Sequence, residues 1–198
     1  MIKFRNVVLV MAVLATVCSV VLAQSAFIRT EGAEGKAPMQ TIAVWDDTYE
    51  VWFQNFNSST AFTLRGGPLQ KLPNGWKLSE CLAWTPETKA LSANLNVGRT
   101  EVGKKSKNFF EAGLYASLDE EASWALVLYD ARLLARLTPE LAIGPVAYGK
   151  WSEGAGNDFL SAGVAVEYRV KGGCFYGRVA RNLVSDNNEF RLQYAFGF

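Results

Sequence analysis

The chain has 198 residues and a formal net charge of +1, with 20% charged and 49% hydrophobic residues. That balance excludes a disordered chain and offers no strong field for nucleic acid. It contains no histidine, which removes Ser–His and Cys–His nucleophilic systems and His-ligated zinc.

The first predicted element is a targeting segment. "MIKFRN" carries Lys3 and Arg5, and "VVLVMAVLATVCSVVLA" follows, ending in Val21-Leu22-Ala23 before "QS". A basic start, an apolar middle and a small residue before the cut are the layout of a secretory signal. Residues 1–23 are therefore expected to be a cleaved signal peptide. An uncleaved anchor helix is the alternative, because the run is at the lower edge of spanning length. Export leaves Cys81 and Cys174 in the mature chain. In an oxidising compartment they are a possible disulfide. Two thiolates are too few for an all-cysteine zinc site, and no metal or cofactor is expected.

Residues 24–47 read as a mostly loop N-terminal segment, with "RTEGAEGKAPMQ" as loop and "TIAVW" as one short strand. From 48 to 198 the pattern has period two. "TYEVWFQNF" and "TAFTLR" form a hairpin, and "WKLSECLAW" follows. "ALSANLNVG" sets Leu91, Ala93, Leu95 and Val97 against Ser92, Asn94, Asn96 and Gly98. "FFEAGLYASL", "SWALVLYDARLLAR", "LAIGPVAYGKW", "FLSAGVAVEYRV", "CFYGRVARNLV" and the tail "NEFRLQYAFGF" continue the series. Such alternation marks strands with two unlike faces. The breaks, such as "TPETK", "GKKSK" and "KGG", are short and rich in turn residues, so the strands follow one another as antiparallel hairpins. The expected fold is all-β, an antiparallel up-and-down transmembrane β-barrel of 8 to 10 strands.

One face carries Leu, Val, Phe and Tyr. The other carries Gly, Ala and Ser together with Glu111, Asp130, Arg132, Lys150, Glu167, Arg169, Arg178 and Arg191. A lipid-facing apolar side and a narrow lumen with ion pairs fit this better than a soluble sandwich. Inferred registers pair Asp130 with Lys150, Glu167 with Arg178, and Glu111 with Arg132. Glu80 falls on the apolar side, so either a bulge reverses the faces there or that strand lies outside the barrel.

The tail places Phe190, Leu192, Tyr194, Phe196 and the terminal Phe198 at every second position. This resembles the closing-strand signal read by the outer-membrane barrel assembly machinery. With the hairpins "AIGPVAYGKW" and "LSAGVAVEYRV", the chain resembles small Gram-negative outer-membrane barrels of the OmpA/OmpX-like type. The resemblance implies an outer-membrane location and contact with lipid and lipopolysaccharide. It also implies help from periplasmic chaperones and the assembly machinery during biogenesis. It leaves the oligomeric state open.

The functional expectation is non-enzymatic. It is a structural or surface-interaction barrel whose lumen is largely filled by ion pairs. The alternatives are a small-solute pore, or a soluble exported lipocalin-like barrel, for which "GKW" at 149–151 is the resembling tripeptide.

Overall fold

A computed structural model of the chain describes residues 24–55, 62–118, 123–153 and 158–197. The proposed signal segment and Phe198 lie outside the described residues. Twelve strands form one closed barrel. They are β1 (Ser25–Ala33), β2 (Met39–Trp45), β3 (Tyr49–Gln54), β4 (Thr63–Lys71), β5 (Trp76–Thr85), β6 (Ala90–Val102), β7 (Ser106–Ser117), β8 (Trp124–Arg136), β9 (Leu141–Ser152), β10 (Phe159–Val170), β11 (Gly173–Asn182) and β12 (Asn188–Gly197). Each strand pairs antiparallel with the next. β1 closes on β12 from Ser25–Gly197 to Ala33–Glu189. At the usual strand spacing and tilt, twelve strands give a backbone cylinder roughly 24 Å across.

The count corrects the expected 8 to 10. The ten strands read from residue 48 onward are β3 to β12. The two extra strands come from 24–47, which is a hairpin rather than loop. Its period was hidden because β1 turns Arg29 and Glu31 inward and only Ala26, Ile28 and Thr30 outward. The closure also explains the pairing of β1. Its outer face at the seam is covered where Phe196 packs on the cluster of Ala26, Val44 and Val51.

Outside, large apolar side chains ring the cylinder. Ile28, Leu82, Leu95, Leu114, Leu126, Val164, Val179 and Leu192 are all exposed. A continuous exposed apolar surface of this kind has lipid, not water, as its matching solvent. Aromatic rings gather at the rim where β1 starts, with Phe175 tilted against Tyr194 at 4.5 Å and Tyr194 stacked on Phe196 at 5.7 Å. Trp84, Trp124, Trp151 and Phe190 stand toward the other rim. Glu80 is a departure from both sequence alternatives. β5 is in the barrel, its faces are not reversed, and Glu80 is exposed on the apolar side.

Candidate functional site

Inside the barrel the alternation fails at one place, and the site is built there. The β7–β8 register shifts between Glu111 and Ala112, which face Asp130 and Leu128. The β8–β9 register jumps from Leu128 to Ala131. Tyr129 is the extra residue of a bulge, and a bulge re-aims the side chains beside it. Tyr129 and Asp130 both border the lumen cavity.

From this bulge two arms cross the barrel. Tyr129 lies under the Arg65 guanidinium, 5.7 Å from its ring centroid. Asp130 meets Arg191 Nη1 at 3.2 Å. β4 and β12 are each four strands from β8 around the ring. The contacts then run back along the wall. Arg65 sits over Trp52 at 5.0 Å and Arg29 over Trp52 at 5.7 Å. Arg29 reaches Glu31 at 3.5 Å, and Arg191 Nε reaches Glu31 at 2.6 Å. Seven side chains from five strands thus form a closed circuit inside the barrel.

The arginines are held by rings as well as by acids. Arg178 lies 3.4 Å over Tyr148, and Arg132 lies 4.0 Å over Tyr176 and 4.3 Å over Phe109. Such stacking fixes a guanidinium without neutralising it. Beyond Asp130, away from the end where β1 starts, polar side chains from four strands meet inside the barrel. There Glu189 accepts from Tyr148, from Ser161 at 2.9 Å and from Asn182 at 3.2 Å. One sector is apolar, with Leu134, Ala142, Val146, Ala165 and Tyr176 packed together.

The remaining space is a cavity of about 510 Å³. Its lining runs from Gly75 and Ala195, near the end where β1 starts, to Tyr129 and Asp130. Arg29, Arg65, Lys77, Lys107, Arg132 and Arg191 border it, against Glu50, Glu111, Asp130 and Glu167. Six cations therefore meet four carboxylates. Arg99 also borders this space, but its guanidinium lies over Trp76 outside the wall and pairs with Glu101. Aromatic faces, Phe27, Trp52, Phe109 and Tyr129 among them, lie between the charges.

Of the eight charged residues singled out from the sequence, Glu111, Asp130, Arg132, Glu167 and Arg191 border this cavity and Arg178 is buried against Asp130, whereas Lys150 does not border it and Arg169 is exposed; their partners also differ from the expected ones. Asp130 pairs with Arg132, Arg178 and Arg191, not with Lys150. Glu167 pairs with Lys107 at 2.5 Å across two intervening strands, not with Arg178. Glu111 stands beside Asp130 on the neighbouring strand, and like Lys150 and Arg169 it has no ion pair with a described residue. The bulge moved the β8 register, and cross-barrel pairs cannot be read from hairpin neighbours. The interior residues missed by the sequence reading are Arg29, Glu31, Glu50, Trp52, Arg65 and Lys107. Their parity with Phe27, Gln54 and Phe109 was the available signal.

The two cysteines are free thiols, which corrects the possible disulfide. Cys81 is on β5 and Cys174 on β11, six strands apart either way round a twelve-strand ring. That sets them at opposite walls, far beyond the roughly 7 Å Cα limit for a bridge. Cys81 Sγ donates to Glu50 at 3.1 Å instead.

No family model matches the sequence, and no curated protein matches it. Solved structures do match in shape. The NanC porin aligns with a TM-score of 0.58 at 9% identity, over 87% of this chain and 100% of that one. The KdgM porin, solved in complex with disordered oligogalacturonate, aligns with a TM-score of 0.56 at 10% identity, over 88% of this chain and 99% of that one. A further structure of the KdgM porin gives 0.54 at 12% identity. The chain therefore has the fold of an outer-membrane β-barrel porin. It is a wider barrel than the eight-stranded OmpA/OmpX type that its tail resembled.

Proposed function

We propose that this chain is a non-enzymatic outer-membrane pore for small anionic solutes. The observation that carries the reading is the lining of the 510 Å³ cavity, where six cationic side chains face four carboxylates. A charged wall in a narrow low-dielectric passage concentrates ions of the opposite sign. Aromatic faces between the cations suit ring-bearing solutes such as acidic sugars. The fold shared with porins, one of them solved with oligogalacturonate, supports this choice over the structural role expected from the sequence. The side chains that meet at Glu189 narrow the passage.

In this reading residues 1–23 direct export, and the outward side chains of β12 with Phe198 address the chain to the assembly machinery. Lipid and lipopolysaccharide surround the apolar band. Reconstitution into planar bilayers tests the proposal. Discrete current steps with a reversal potential on the anion-selective side are expected. A correctly assembled barrel that passes no current would overturn it.

A further inference from the structure

Three guanidiniums converge on the single carboxylate of Asp130. Arg132 Nε is at 3.2 Å, Arg178 Nη1 at 3.6 Å and Arg191 Nη1 at 3.2 Å. The contact from Arg191 is the hydrogen bond of the three. Arg132 Nε, Arg178 Nε and Arg178 Nη1 are buried and have no hydrogen-bond partner among the described residues. Arg178 is 5% exposed and Arg191 9%. Asp130 Oδ1 is likewise buried without a hydrogen bond to a described residue. Buried polar groups are normally satisfied, so the one carboxylate sits among the three arginines at ion-pair distance without bonding them fully. Glu111, beside Asp130 on β7, borders the same cavity and takes none of the three arginines.

The cations and the anion are held differently. Arg178 and Arg132 are clamped on Tyr148 and Tyr176. Asp130 is a short side chain on a bulge, at the inner end of the cavity. Arg132 and Arg191 border the cavity with Asp130, and Arg178 is buried against the same carboxylate, so an arriving anion meets fixed donors whose one shared acceptor comes from the wall itself.

We infer that Asp130 is a tethered counter-anion, which holds the arginine site when the lumen is empty and yields it to the carboxylate or phosphate group of a passing solute. The inference rests on the pore reading. Guanidinium forks match the paired oxygens of carboxylate and phosphate, which chloride lacks. A solute entering must replace Asp130, and Asp130 returning helps the solute leave. Passage needs binding that is weak enough to reverse.

The test uses the full chain in planar bilayers carrying chloride, with inorganic phosphate added. Phosphate should interrupt the chloride current of the wild type. Asp130→Asn should lower the half-blocking phosphate concentration roughly twofold or more and raise the anion-to-cation permeability ratio. Asp130→Glu should stay near wild type. Arg178→Gln reads the site from the cation side and should raise the half-blocking concentration, which keeps the test decisive if Asp130→Asn does not assemble. A wild type that conducts but ignores phosphate overturns the inference and leaves the pore reading standing. So does an unchanged block in either assembled variant. A wild type that does not conduct overturns both.

Discussion

Arg191 on β12 and Asp130 on β8 meet at 3.2 Å although their strands are four apart in the ring. Arg191 also holds Glu31 across the β1–β12 seam at 2.6 Å. One side chain therefore ties the closing strand both to its neighbour and to a strand a third of the way round the ring.

Removing Arg191 leaves Asp130 with Arg132 and Arg178 and Glu31 with Arg29, but it cuts the link between them. Arg191→Ala should destabilise the barrel by about 1–2 kcal/mol, the scale of a lost charge-assisted hydrogen bond rather than of an uncompensated buried charge. Urea unfolding in lipid, followed by the heat-induced shift on gels, measures this. A midpoint equal to that of wild type would show that the seam does not depend on it.

The thiols give a second check. Reduction should not change the mobility of the folded chain, because the walls keep Cys81 and Cys174 apart. Cys174 borders the cavity, whereas Cys81 is 3% exposed and held by Glu50. A small charged thiol reagent should label Cys174 first and reduce the current, and Cys174→Ser should abolish that effect. Labelling of Cys81 at the same rate in folded protein would contradict the placement.

Glu80 lies on the apolar outer face, with no hydrogen bond or ion pair to a described residue. A charge facing lipid is unfavourable, less so for an acid than for a base. Glu80→Leu should raise stability in bilayers by about 1 kcal/mol. Equal or lower stability would mean that this face is covered in the membrane by something other than lipid.

The tail supplies the fourth test. Phe190, Leu192, Tyr194 and Phe196 leave the barrel on one face of β12. Deleting Phe198 should lower the amount of heat-modifiable barrel in the outer-membrane fraction. Undiminished assembly would remove the tail from its proposed role as an address.

Strands β3 to β12 were legible because Leu, Val and Phe recur at every second position against Gly, Ala and Ser. β1 was not, and β2 showed only as the short strand "TIAVW", because their inward face holds Arg29, Glu31 and Thr41 while their outward face includes Thr30 and Gln40. Without an apolar row the period has nothing to show. The parity of Asp130 and Arg132 could be read along β8, but Lys107 meeting Glu167 could not. That contact depends on strand tilt and closure, which no local pattern encodes. Tyr129 was hidden for a related reason, since one added residue looks like any other until the neighbouring registers are known.

That added residue also sets what the barrel can become. With Tyr129 present, the outward row of β8 passes from Leu126 and Leu128 to Ala131 and Leu133, and both arms of the circuit start from adjacent positions. That two neighbouring side chains both face the lumen is thus a matter of strand length, one residue more than the neighbours need. Losing one codon at the bulge would withdraw an arm from the lumen or turn half the strand inside out.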